Sequence, residues 1–378
     1  MADVEVVHPS ELGPAEIRAW SNLQSSSPEF GSPLLGPQFA RLVGELRRNA
    51  RAAVWRDGRR AAGFLGFHRT LGGFARPIGA PFSDYHALVC APGRAAAELS
   101  LEAAGLTGIR LTGLIDPHGV FAEDLETVAA HRIDLAAGAE AYLADLWRSS
   151  RNRWRNFKRY SRRLAGELGP LRIEAPDASA ATFARLMSWK GRQLAGAGLH
   201  DFTGSPWVSA LFRRLFETRD AAFGGLMITL YAGERPVAAH FGVRQDGWFH
   251  PWIGAYDPEL AACSPGLVHQ VMAAEAAAEI GIHTYDLGPR ADHSKAMFAN
   301  SASRVRAGWA TGRSLGGRLA AGSDRILGPA GGLSLLGRVR NRWDHVSAVE
   351  LTLGGRVAGM ARAAASLNRR RTAWTQAA

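Results

Sequence analysis

The apolar positions of this chain fall into short runs punctuated by glycine, and the clearest set lies between Leu226 and Phe298. Residues 226–232 form a β-prone run closed by Gly233-Glu234-Arg235-Pro236, and 237–244 follow as a second strand. Asp246-Gly247 then signals a hairpin, because a two-residue turn demands a positive φ that glycine accepts. The third strand spans 248–256. Pro251 inside it cannot donate a ladder hydrogen bond, so it marks an edge, a bulge or a parting of strands. Ser264-Pro265-Gly266 opens a helix over 267–280, in which Leu267, Val271, Ala274 and Ala278 share a face. Its many alanines let it lie close to a sheet. Gly281 stops it, and 282–287 is the next strand. The order strand, turn, strand, turn, strand, glycine loop, helix, strand is that of an acyl-transfer domain.

The pattern recurs upstream. Residues 52–66 read as strand, turn, strand and align with 228–242 at an offset of about 176 positions. Phe30-Gly31-Ser32-Pro33 and a helix over 39–46 echo Phe202-Thr203-Gly204-Ser205-Pro206 and a helix over 207–216. A strand near 84–90, a helix near 94–104 and a strand over 109–114 complete the upstream unit. It has no counterpart of Ser264-Pro265-Gly266; Cys90-Ala91-Pro92-Gly93 sits near that place in another strand context. The expected division is 1–135, 136–310 and a Gly/Arg-rich extension over 311–378.

With 378 residues and 47% hydrophobic content, the chain can build two packed cores. No apolar run is long enough to span a bilayer, and the acidic start MADVEVVHPSEL lacks a signal core. Cys90 and Cys263, the two cysteines, suit a reducing compartment. The expectation is a cytoplasmic, bacterial protein. Its net charge of +11 is unevenly placed. Residues 147–163 hold eight basic residues and no acid, and 301–378 hold thirteen arginines against three acids. The body between these attachments is mildly acidic.

The basic helix over 147–164 carries an aromatic seam of Trp147, Trp154 and Phe157. It reads as a linker helix with a solvated basic face, or as an anionic-substrate groove using Arg153, Arg155, Lys158 or Arg159. A membrane or nucleic-acid surface is the third reading, but no nucleic-acid motif accompanies it. The extension, with an amphipathic patch at 333–343 and Arg369-Arg370-Arg371, reads as a loosely ordered tail or as a peripheral contact with anionic lipid at the inner membrane face. Scattered histidines offer no metal site. The absence of GxGxxG and P-loop runs argues against NAD chemistry and nucleotide hydrolysis.

Acyl transfer needs an anchored donor, a stabilised oxyanion and a deprotonated acceptor. A helix start presents unpaired N–H groups and partial positive charge. Ser264, Pro265, Gly266 and Leu267 are therefore the expected donor loop. His240, mid-strand, is the candidate base, with His250, Tyr256 and His269 as rivals. Asp286 ends a strand beside the site and is placed to orient Lys295 or the acceptor. Asp257 is expected to cap a turn. Cys263 lacks the His/Asp spacing of a nucleophile triad, so direct transfer fits better.

Three blocks, GERPVAAHFG (233–242), AYDPELAACSPGLV (255–268) and YDLGPRADHSK (285–295), resemble the CelD-like acetyltransferases associated with cellulose and exopolysaccharide biosynthesis, within the GNAT superfamily. In the third block Arg290 stands where the family has Gly and Ser294 where it has Tyr; Lys295 is kept. A Ser-Asp-Tyr block like Ser83-Asp84-Tyr85 also occurs there. The resemblance implies an α/β (α+β) fold of tandem GNAT-like domains, with mixed, mostly antiparallel sheets flanked by helices. It implies acetyl-CoA or another acyl-CoA as co-substrate, no metal, and an amine or hydroxyl of a sugar or envelope precursor as acceptor. Asp84 and Tyr85 would then hold a sugar, with Tyr256, Arg153 and Lys190 as further substrate contacts. The tandem arrangement more distantly resembles the FemABX transferases, which implies an aminoacyl-tRNA donor instead. A non-catalytic scaffold is the remaining alternative.

Overall fold

A computed structural model describes residues 3–362, apart from 93–98, 122–124, 219, 290–292, 312–315, 318, 320, 321 and 323–334. In chain order the elements begin with β1 (Asp3–Val7), α1 (Pro14–Ser25), α2 (Pro37–Leu46), β2 (Ala50–Asp57), β3 (Arg60–Arg69), β4 (Phe74–Pro77), β5 (Val89–Cys90), β6 (Gly108–Leu114) and β7 (Glu126–Asp134). They continue with α3 (Ala139–Ser149), α4 (Arg151–Leu168), β8 (Leu171–Glu174), α5 (Ala180–Gly196), α6 (Pro206–Glu217), β9 (Gly224–Ala232), β10 (Arg235–Gln245) and β11 (Trp248–Tyr256). The last are α7 (Pro265–Glu279), β12 (Thr284–Pro289), α8 (His293–Phe298), β13 (Ser301–Thr311) and α9 (Leu335–Val349).

Two compact units result. The first comprises Met1–Ala130, Gly288–Arg290 and Ser303–Ala348, the second His131–Leu287, Ala291–Ala302 and Val349–Ala378. This division differs from the expected 1–135, 136–310 and 311–378, because Ser303–Ala348 joins the first unit. The tail is therefore not a free extension along α9. There Val346, Ser347 and Ala348 are buried, and the Arg47 guanidinium donates to the Ala348 carbonyl at 3.4 Å. Arg369-Arg370-Arg371 lies outside the described residues. Among the described residues no helix is long and apolar enough to cross a membrane.

In the first unit the strands run β1-β2-β3-β4-β6-β13, with β5 on β3. In the second they run β7-β12-β11-β10-β9-β8. The expected repeat is borne out in its hairpins. β2–β3 and β9–β10 are antiparallel hairpins turned by Gly58 (φ 56°) and Gly233 (φ 54°), positions where a side chain would be strained. Parallel pairing repeats too. β4 meets β6 at Phe74↔Gly108 and Ala75↔Ile109, and β11 meets β12 at Trp248↔Thr284 and Phe249↔Tyr285. Each core forms where alternate strand residues face covering helices. Trp55, Phe67 and Ile109 centre the first; Ile228, Phe249 and Tyr285 pack under the small residues Ala273, Ala274 and Ala277 of α7 in the second.

Three local expectations change. The left-handed residue of the β10–β11 turn is Asp246 (φ 49°), while Gly247 is needed for space: a Cβ there would lie 2.0 Å from the His283 ring. The basic helix is two helices. Ser150 adopts an extended conformation between them and caps α4 by accepting from the Arg153 N–H at 3.2 Å. The strand expected near 84–90 shrinks to β5 and a bridge at His86; of the helix expected over 94–104, residues 94–98 lie outside the described residues and 99–104 form bends and turns instead.

Candidate active site

The site grows from one strand, β11. A register shift between Phe241 and Gly242 leaves Trp252 as the extra residue of a bulge facing β10, beside Pro251 as expected. The Asp257 N–H donates to the Val237 carbonyl at 2.9 Å, which makes that couple a hydrogen-bonded pair. Antiparallel pairs alternate between bonded and non-bonded. His240↔Gly254 and Ala238↔Tyr256 therefore fall on non-bonded rungs. The peptide groups of Gly254 and Tyr256 consequently point away from β10, toward the side of β12. Among the described residues, β12 pairs with β11 at Trp248 and Phe249 alone and then parts from it. A strand edge with its own donors and acceptors is left facing the gap.

Lys190 of α5 reaches this edge. Its ammonium donates to the Gly254 carbonyl at 3.4 Å and to Gln193 Oε1 at 3.1 Å, and burial pulls its pKa below the usual lysine value. His240 lies on the other face of the same rung. A Cβ on Gly254 would meet its ring at 2.8 Å, so glycine is required for that approach. His240 Nδ1 shares a 2.5 Å hydrogen bond with the Tyr285 hydroxyl, and its ring centroid lies 4.4 Å from that of His269. Burial, then His269 and Lys190, hold its pKa well below the ordinary histidine value. The imidazole is neutral at neutral pH. His269 donates from Nε2 to the Ile228 carbonyl at 2.9 Å, and burial lowers its pKa to about 4.

Helix α7 starts at the far end of β11. Ser264, its N-cap, adopts the left-handed conformation (φ 44°, ψ 54°) and makes no side-chain cap to α7. Pro265 has no N–H, and the Ser264 and Leu267 N–H groups already donate to the Ala261 and Ser264 carbonyls at 3.1 and 3.0 Å, so among the described residues the Gly266 N–H is the donor left at the helix opening. Instead the Ser264 side chain bonds the Tyr160 hydroxyl of α4, and that bond, with one from Arg159 at 2.8 Å, lowers the tyrosine pKa. Gly266 faces Tyr256, whose ring a Cβ would touch at 3.4 Å; Tyr256 is 39% exposed. Asp257 caps the preceding turn through the Glu259 N–H at 3.1 Å and is held by Arg235 at 2.6 Å, so it is structural. Burial raises the Cys263 thiol pKa, which disfavours a nucleophilic role.

Not every expected residue converges here. Asp286 is fully buried on the opposite face of β12 from Tyr285, with Arg132 Nε at 3.2 Å and His250 Nδ1 at 3.6 Å. It joins His250, not His240. Lys295 belongs to α8, and its side chain, like Arg290, lies outside the described residues. Arg153 packs over Phe298 at 5.8 Å, built into the α3–α4 joint instead of a substrate groove. Tyr85 is completely buried in the first unit and offers no stacking platform; Asp84 is half-buried there, its carbonyl pressed against Gly113. The sequence reading missed Tyr285, although strand alternation puts it on the face opposite Asp286. On the other side of the sheet a cleft of about 470 Å³ lies between α5 and α6, lined by Met187, Arg192, Asp201, Thr203 and Arg213.

Comparison with known proteins bears on the fold. Residues 148–296 match the family described as acetyltransferase (GNAT) domain. The structure is similar to FemX at a TM-score of 0.51 and 12% identity, covering 80% of this chain and 95% of FemX. It is also similar, at a TM-score of 0.45 and 12% identity, to a tandem GNAT protein from the clavulanic acid biosynthesis pathway, covering 83% of this chain and all of that one. A search of curated proteins finds no match. The chain has the GNAT fold, and its second unit carries the stretch that matches a GNAT acetyltransferase domain.

Proposed function

We propose that the second unit is an acyltransferase that takes an acyl group from acyl-CoA and passes it directly to an amine or hydroxyl, with a sugar or envelope precursor as acceptor. The observation that carries this is the parting of β11 from β12, with the Gly254 and Tyr256 peptide groups facing the gap and the start of α7 at its end. A thioester cofactor supplies the activated acyl group when bound. The Gly266 N–H at the helix start suits its phosphates, and a glycine there keeps the approach past the Tyr256 ring unobstructed by a side chain. The strand edge, whose Gly254 carbonyl already accepts from Lys190, orients an extended ligand by backbone hydrogen bonds. His240, neutral and backed by Tyr285, is the group placed to take the acceptor's proton. Calorimetry with acetyl-CoA tests the reading: the protein binds it, and Gly266→Trp weakens binding at least tenfold. Absence of acetyl-CoA binding to the unaltered protein overturns it.

One observation favours a second donor. Arg151, Arg155, Lys158, Arg159 and Arg162 of α4 are exposed, spaced along one helical side, beside the loop that Tyr160 contacts. That stripe suits a longer polyanion, such as an aminoacyl-tRNA. In that case charged tRNA binds with a steep salt dependence that flattens when these residues are neutralised, and acetyl-CoA does not bind.

A further inference from the structure

The first unit repeats the strand pair of the candidate site but changes the chemistry of its next rung. After Ala75↔Ile109 the following residues are Arg76 and Arg110; after Phe249↔Tyr285 they are His250 and Asp286. Where the second unit holds an acid beside a histidine, the first brings two guanidiniums to neighbouring strands, which lie about 4.8 Å apart. Two such cations repel unless an anion sits between them. The chain provides one from far away in sequence. The Asp344 carboxylate of α9 pairs with Arg110 and lies 3.9 Å from Arg76, which also donates to Ser347 Oγ at 2.5 Å. The three charged side chains keep 13% to 34% of their exposure, so the cluster stands at a surface and not in the core.

We propose that Arg76 and Arg110 form an anion-binding site in the first unit, that Asp344 is its resident occupant, and that an external carboxylate or phosphate group takes the site when α9 lifts. The chemistry is that of paired guanidiniums, which bind planar carboxylates and phosphates by matched N–H donors. A carboxylate carried on the same chain competes at high effective concentration. An external anion is therefore excluded until the helix detaches, and filling the site in turn favours the detached helix. This does not depend on the donor or the reaction of the second unit.

The full-length chain tests it. Asp344→Ala and Asp344→Asn are titrated with inorganic phosphate and, separately, with succinate, at constant ionic strength. Each variant is expected to bind one of these at least tenfold more tightly than the unaltered protein. The gain disappears when Arg76→Ala and Arg110→Ala are added. Which anion gains identifies phosphate or carboxylate as the natural group. No gain in either variant, or a gain that survives loss of both arginines, overturns the proposal. A second measurement needs no substitution. Hydrogen exchange of Arg342 to Val349 in the unaltered protein should quicken saturably with the anion that binds, and not with chloride at the same ionic strength. Equal effects of the two salts, or none, likewise overturn it.

Discussion

At the residue scale the candidate base is a histidine whose environment forbids charge in the resting state. If His240 takes the acceptor proton, His240→Ala lowers kcat about a hundredfold or more while acetyl-CoA affinity stays within a few-fold. Steady-state kinetics with full retention of rate would remove it from the mechanism. Tyr285→Phe deletes the partner of Nδ1 and should lower kcat by a smaller factor, through orientation alone. His269 carries a pH prediction. Its folded pKa of about 4 lies below the unfolded value of 6.5, so above pH 6.5 it contributes no pH dependence. Between pH 6.5 and 4 the unfolded chain binds a proton that the folded chain refuses, and stability falls as pH falls. The full loss is roughly 3 kcal/mol. Urea unfolding at pH 7 and pH 4.5 should show that His269→Gln loses distinctly less stability on acidification than the unaltered protein.

At the scale of elements, the β10–β11 bulge places the whole site. Gly242 lies opposite Pro251, and a Cβ there would come within 2.0 Å of the His250 carbonyl and 2.6 Å of Pro251 Cα. Both obstacles are backbone. Gly242→Ala should cost roughly 2–4 kcal/mol in chemical denaturation, because the strand must shift to admit the methyl. Strands and bulge were legible in the sequence, since alternation and Pro251 are local signals. So was the start of α7, because Ser-Pro-Gly before an alanine-rich run announces it. The break at Ser150 was harder to see. The Phe157 ring does stack on Trp147 and Trp154, at 5.6 and 5.7 Å between centroids, and the two tryptophans meet tilted at 4.5 Å, so the seam is real across two helices instead of one. A single extended residue leaves hydrophobic spacing almost unchanged. The partners of Asp286 were not legible either, since Arg132 stands 154 positions away and tertiary structure brings it and His250 to the carboxylate.

For the whole molecule, the tandem arrangement was readable because two hairpins repeat at one offset. The path of the C-terminal segment was not, since Arg76 and Ser347 are 271 positions apart. Removing everything from Leu335 onward should lower the melting temperature of the first unit, which loses Asp344 from Arg76 and Arg110. The second unit should also melt earlier, because Ser205 and Trp207 lose the Val349 carbonyl as acceptor, at 3.2 and 2.8 Å. Calorimetry would resolve both transitions; an unchanged profile would mean that these contacts do not stabilise the molecule. The paired rungs carry a different lesson. When one strand pair occurs twice in a chain, the same rung can carry an acid beside a histidine in one copy and two guanidiniums in the other. The backbone frame then fixes where charge stands, and the side chains alone decide its sign.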